Sequence, residues 1–221
     1  MASHRLLIII GTLLAVSILA FSDPIHSSYE SRFLECKSKA TEVKNNFESC
    51  YERDFDDEAV NETIRIFGNS NCNSCTHLCR KKAEVSKCFG KMTEEMATLS
   101  NKAAVMMPFV RNIFDGTYSA VCENDAEIMR AIMNPESRIC MEDQVQECLR
   151  NMEALHDIDK LFFCDHTNPD NDKLTSELFC QTTLSTLECI KARSGNCPDF
   201  HRTTISLENK LRNSYSCSKY Y

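Results

Sequence analysis

Cys72-x2-Cys75-x3-Cys79, with His77 between the last two cysteines, is the spacing in this chain that looks most like a ligand set. A zinc ion needs four nitrogen or sulfur donors, and a second ligand pair normally follows roughly 12–20 residues later. Cys88 is too close and too isolated to supply that pair. Haem attachment requires a histidine directly after the second cysteine, and Thr76 stands there. These cysteines read as disulfide partners, and neither a metal nor a cofactor is expected.

A second group gathers near a loop: His156, Asp157, Asp159, Asp165 and His166. Such residues can hold a base or a metal, and a polar loop with two surface histidines is the plainer reading. No nucleophile elbow, metalloprotease helix motif or phosphate-binding loop occurs. No catalytic residue is assigned, and the chain is read as a non-enzyme. Asn61-Glu62-Thr63 is an N-glycosylation sequon without proline at its centre. A glycan is expected on Asn61, on the surface between Val60 and Ile64.

The compartment follows from the N-terminus and the cysteines together. His4 and Arg5 precede an uncharged run from Leu6 to Phe21, and Ala20-Phe21-Ser22 presents small residues for cleavage after Ser22. The run is shorter than the about 20 residues of a spanning helix and has no basic stop-transfer flank. Residues 1–22 therefore read as a signal peptide and residues 23–221 as a single mature domain, secreted and free of the membrane. The chain carries 14 cysteines, an even number, in a setting where disulfides persist. Cys36, Cys50, Cys72, Cys75, Cys79, Cys88, Cys122, Cys140, Cys148, Cys164, Cys180, Cys189, Cys197 and Cys217 are all expected in bridges. Which pairs with which is not legible, since fourteen cysteines allow more than roughly a hundred thousand arrangements.

Charge excludes some partners. The whole chain stands at −7, and removing residues 1–22 takes away one arginine and no acid, which leaves −8. A chain this acidic has no field to attract nucleic acid or an anionic membrane. Its one basic cluster, Arg80-Lys81-Lys82 with Lys87 and Lys91, reads as the solvated face of a helix.

The elements that must position these residues are helical. Glycine is scarce, tryptophan is absent and alternating β-branched runs are missing, which argues against a sandwich or barrel. Phe33, Cys36, Ala40, Val43, Phe47, Cys50 and Tyr51 recur at three- and four-residue steps, the mark of a helix of about 25 residues from Ser28. Cys36 and Cys50 would lie about 21 Å apart along it, too far to pair with each other. A second helix is expected from Asp56 to Phe67, capped by Asp56 or Asp57, with Val60, Ile64 and Phe67 inside. Gly68-Asn69-Ser70-Asn71 ends it. Helix resumes near Ser74 and runs to Met107 with a break around Gly90, and Pro108 marks a kink or boundary. Asn124 or Asp125 caps a helix stopped at Asn134-Pro135. Further helices are expected from Ile139 to Met152 and over Leu155 to Phe163, before a loop at His166 to Asp172. A long helix then carries Leu174, Leu178, Thr182, Leu184 and Leu187, with Gly195 as a left-handed terminator. Pro198 opens the last helix. Cys79 with Cys88, Cys140 with Cys148, and Cys180 with Cys189 each read as two attachment points on one helix. The fold class is all-α, a disulfide-laced bundle of helical hairpins.

The order of cysteines resembles a known family. Val121-Cys122-Glu123-Asn124-Asp125, then Ile128, Ile132, Cys140, Val145 and Cys148, is similar to a segment of the insect 27-kDa haemolymph glycoprotein family. Lys81-Lys82-Ala83-Glu84-Val85 before Cys88 resembles the middle of that family, and Leu187-Glu188-Cys189 its C-terminal part. The likeness covers Cys36 to Cys217, although the acidic turn lacks the family's glycine and Cys72 and Cys75 fall outside its pattern. It implies a haemolymph or other extracellular protein and supplies no catalytic residue. The expected function is binding or interaction, with an extracellular protein as partner. The alternative is a carrier whose inter-helix cavity holds a small apolar ligand, lined by Met92, Met96, Met106, Met107, Met129, Met133 and Met152. Those methionines read equally as ordinary core.

Overall fold

The structure is a computed structural model, and it describes residues 28–70, 72–136, 147–148, 163–165, 175–214 and 216–220. Its helices are α1 (Ser28–Glu52), α2 (Asp57–Phe67), α3 (Asn73–Arg80), α4 (Lys82–Ala97), α5 (Asn101–Val121), α6 (Glu123–Met133), α7 (Ser176–Arg193) and α8 (Pro198–Asn213). Short 3-10 turns follow at Ser194–Asn196 and Ser218–Tyr220, and no strand occurs among the described residues. The all-α, disulfide-laced class is what the periodicity anticipates.

The helix starts follow capping chemistry. Asp56 accepts the Ala59 N–H at 2.8 Å, Ser100 accepts Ala103 N–H at 3.0 Å and Thr175 accepts Leu178 N–H at 3.0 Å. Gly68 ends α2 at φ 83°, a conformation that glycine adopts without a Cβ penalty. Pro198 sits in the first turn of α8, where its missing N–H costs nothing.

Several expected boundaries move. The break expected near Gly90 falls instead at Lys81 and at residues 98–100, and Gly90 lies inside α4. A Cβ on Gly90 would stand 2.7 Å from the Arg111 guanidinium of α5, so the glycine lets that side chain cross its helix closely. Pro108 lies inside α5 and does not end it. Interior proline costs about 3 kcal/mol. Met106, Met107, Phe109, Ile113 and Phe114 of the same helix are all buried, at about 1.5–3 kcal/mol each, so packing wins. Pro108 and Ala104 also lie on the exposed side, where the carbonyl freed by the proline meets water. Gly195 is exposed and is not left-handed, because α7 runs straight into the 3-10 turn. There Ser194 Oγ stands 3.0 Å from His201 Nδ1. α6 begins at Glu123, one residue before the caps expected for it, and Cys122 alone separates it from α5. Cys79 and Cys88 lie on different helices, α3 and α4, while Cys180 and Cys189 do share α7. The segments expected from Ile139 to Met152, from Leu155 to Phe163 and at His166 to Asp172 lie largely or wholly outside the described residues.

The α4–α5 hairpin is the centre of the bundle. Phe89 of α4 stacks on Phe114 of α5 at 3.7 Å between ring centroids, and Phe47 of α1 meets Phe89 edge-on at 6.0 Å. Met92, Met96, Met107, Val121 and Met129 fill the space around them. A second cluster joins Met106, Phe109 and Ile113 of α5 to Leu184 and Leu211 of α7 and α8.

The α7–α8 hairpin holds a buried charge. Glu208 is 5% exposed and receives Lys191 Nζ from α7 and Arg212 Nε, the latter at 2.9 Å. The Lys191 hydrogen bond, helped by Arg212, holds the Glu208 carboxyl below the usual carboxylate range against the opposing effect of burial. A depressed folded-state value means that the stabilisation is present above the unfolded value of about 4.3 and is lost as pH falls through the folded one. Glu208→Gln should lower stability by about 1.5–3 kcal/mol at neutral pH, the range for hydrogen bonds to charged groups. Urea midpoints of parent and variant should converge as the buffer is taken below pH 4, and a gap that persists unchanged in acid would refute the charge as its source.

Candidate functional site

The sequon at Asn61 and the cluster Cys72, Cys75, His77 and Cys79 share the α2–α3 hairpin. α2 turns its Thr63 side inward and leaves Asn61, Glu62 and Arg65 exposed, with Glu62 and Arg65 paired to each other. Asn61 therefore stands on the outer face, where a glycan has room. The expected inner residue Phe67 is instead 52% exposed, with the Arg80 guanidinium over its ring at 4.3 Å. The inward side of α2 is set by Thr63 meeting α3, and Phe67 follows one turn later as the last residue of α2, where its ring is left at the surface.

Thr63 meets His77. Its Oγ lies 2.6 Å from His77 Nδ1, while His77 Nε2 lies 2.7 Å from the Asp54 carbonyl oxygen. A carbonyl can only accept, so Nε2 carries the proton, and in the neutral ring Nδ1 accepts the Thr63 hydroxyl. The His77 ring is fully buried and packs edge-on against Phe55, which stacks on Tyr51 at 4.1 Å. Burial alone pushes the Tyr51 hydroxyl up to about 12. A hydroxyl beside an imidazole has the composition of a nucleophile and base. Here both ring nitrogens are engaged within the protein and Thr63 is buried, so the pair ties α2 and the turn at residues 53–56 to α3. No sequence signal marks this link, because Thr63 stands out only as part of the sequon and His77 only as a neighbour of cysteines.

The cysteines resolve into bridges. Cys72 pairs with Cys75 and Cys79 with Cys122, so none of the three offers a thiolate to a metal. Cys36 pairs with Cys164, Cys50 with Cys88, Cys148 with Cys189 and Cys180 with Cys217. Cys197 is also disulfide-bonded, and no cysteine is free among the described residues. Cys140 lies outside the described residues. Apart from Cys72–Cys75, each of these six bridges joins different segments. α1 is fastened at both ends of its apolar face, as the 14-residue spacing of Cys36 and Cys50 requires.

His156, Asp157, Asp159 and His166 lie outside the described residues. Asp165 lies within them and accepts the N–H groups of Asn101 at 3.1 Å and Lys102 at 2.9 Å, which places its charge at the positive end of α5. Beside it, Cys164 carries the bridge to α1, so residues 163–165 clamp two helices. The basic cluster is divided among partners. Lys82 donates to Ser119, Lys81 lies between Asp54 and Glu84, and Lys91 pairs with Glu95. Five of the seven methionines considered as cavity lining, Met92, Met96, Met106, Met107 and Met129, are at most 5% exposed and packed in the core. Met133 packs against it from the rim, and Met152 lies outside the described residues. Among the described residues no group of three metal-ligating side chains gathers, and no helix is long and apolar enough to cross a membrane. Neither family models, curated proteins nor solved structures match this chain.

Proposed function

We propose that this chain is a secreted glycoprotein of extracellular fluid, of the haemolymph type its cysteine order resembles, and that it binds a partner and is not a hydrolase. The observation that carries the reading is the lacing. Bridges span 37 to 128 residues and tie α1 to α4 and to residues 163–165, α3 to the α5–α6 junction, and α7 to the C-terminus. Such a framework suits an oxidising medium and a rigid display surface. The exposed Asn61 and the net charge of −7 support the same reading, the latter by favouring solubility. The carrier alternative has less behind it, because the methionines that would line a cavity fill the core.

The test is expression of the full chain with its own leader in an insect secretory cell line. The expected product is found in the medium, begins at Asp23 and shortens on gels after treatment with an amide-cleaving glycosidase. Asn61→Gln should abolish that shift while leaving Thr63 on His77. The released protein should turn over no ester, peptide or glycoside substrate. Retention of Met1 in a membrane fraction would overturn the secretion reading. Turnover that disappears in the folded His156→Ala, His166→Ala variant would overturn the binding reading.

A further inference from the structure

Cys72–Cys75 differs in kind from the other bridges. It closes only three residues of separation, against 37 or more for the other five pairs described. By the chain-entropy relation such a short loop contributes about 2 kcal/mol, against about 4–5 kcal/mol for the long ones. It also holds nothing that is not otherwise held. Ser70 N–H and Oγ bond to Asn73 Oδ1 at 2.7 and 3.2 Å, Asn73 Nδ2 donates to Asn69 Oδ1 at 2.7 Å, and Ser70 Oγ meets Thr76 Oγ1 at 3.0 Å. Thr76 donates both its N–H and its hydroxyl to the Cys72 carbonyl. The turn therefore keeps its shape with or without the sulfur–sulfur bond.

The site is also prepared for the reduced form. Cys72 is the N-cap of α3, and its sulfur accepts the Cys75 N–H at 3.3 Å with Ser74 Oγ at 3.6 Å. Once the bridge opens, a thiolate on Cys72 inherits both donors and the positive end of the helix, which lower thiol pKa values in such settings. Cys75 is fully buried and Cys72 is 9% exposed, so of the two sulfurs only that of Cys72 lies at the edge of the core, where an incoming thiol can meet it.

We propose that Cys72–Cys75 is a thiol–disulfide exchange site, whose substrates are thiols and disulfides of small molecules or other proteins. A substrate thiolate attacks Cys72 Sγ, the bond to Cys75 breaks, and Cys75 leaves with the electron pair and takes up a proton. A second substrate thiolate attacks the substrate sulfur of the mixed disulfide and releases Cys72 as thiolate. One substrate disulfide forms for each protein disulfide reduced, and the reverse sequence regenerates the bridge from a substrate disulfide. The pre-formed turn keeps the two thiols together, so reoxidation is intramolecular and fast.

The test uses the intact secreted protein in glutathione buffers of increasingly reducing ratio. Newly freed thiols are alkylated and mapped by mass spectrometry, and helix content is followed by circular dichroism. Cys72 and Cys75 should be modified first and together, with helix content unchanged and with full recovery of the bridge in oxidised glutathione. In the reduced protein the thiolate absorbance of Cys72 should rise well below the ordinary thiol value of about 8.5. Cys75→Ser should accumulate a glutathione adduct on Cys72, and Cys72→Ser should form none on Cys75. Opening of another bridge before this one, or loss of helix in step with its reduction, would overturn the proposal. So would a Cys72 that titrates at the ordinary value, a measurement on the parent protein that does not depend on either variant folding.

Discussion

Cys36→Ala with Cys164→Ala should destabilise the folded protein by about 4 kcal/mol, the largest effect expected from any bridge described. The pair is separated by 128 residues, and the entropy removed from an unfolded chain grows with the loop it closes. The nested bridges Cys50–Cys88 and Cys79–Cys122 shorten the effective loop, which keeps the figure below the about 4.7 kcal/mol of an open 100-residue loop. The native side of the balance points the same way. Cys164 is 1% exposed, and on either side of it Phe163 O accepts the Ser100 hydroxyl and Asp165 accepts two N–H groups of α5. Losing the bridge therefore frees α1 from the clamp at the start of α5. The urea midpoint should fall accordingly. The same double substitution at Cys72 and Cys75 should move it by about half as much or less, and an equal response at the two sites would contradict the loop-length argument.

Phe89→Ala should cost about 3–5 kcal/mol, the range for truncating a fully buried aromatic ring. Phe89 is 0% exposed and touches three helices through its own α4, Phe114 of α5 and Phe47 of α1. Truncation forfeits the burial of the ring and the aromatic contacts, and leaves a cavity where α1, α4 and α5 meet. Collapse around that cavity is restricted, because Cys50–Cys88 fastens α1 to α4 one residue away. Phe67→Ala provides the comparison on the same scale. Its ring is 52% exposed and meets Arg80 from the surface, so the loss should stay within about 1 kcal/mol. A Phe89→Ala variant that unfolds at the parent's denaturant concentration would show that the stack is not the centre of the core.

What the sequence determined by itself is what nearest neighbours along the chain decide. The apolar stripe from Phe33 to Tyr51 marks α1 over the very residues at which it forms, because helical periodicity needs no knowledge of the partner. Asp56, Gly68 and Pro198 act as cap, terminator and opening residue for the same reason, since a cap bonds to backbone two or three residues away. The all-α class follows from those local signals summed.

Tertiary structure decided the rest, wherever a residue's cost or benefit depends on what lies across the bundle. Pro108 reads as a boundary until five buried side chains on its own helix outweigh it. Gly90 reads as a break until Arg111 crosses it. Phe67 sits at helical spacing from Val60 and Ile64, yet it is the last residue of α2 and its ring is left at the surface under Arg80. The bridges are the clearest case. That Cys36 cannot reach Cys50 follows from the rise of one helix, but that it reaches Cys164 follows from how α1 packs against α4 while residues 163–165 are held at the start of α5. His77 joins Thr63 and Asp54 across the α2–α3 hairpin. No spacing announces that link, because hydrogen bonds between elements are chosen by packing and not by order along the chain.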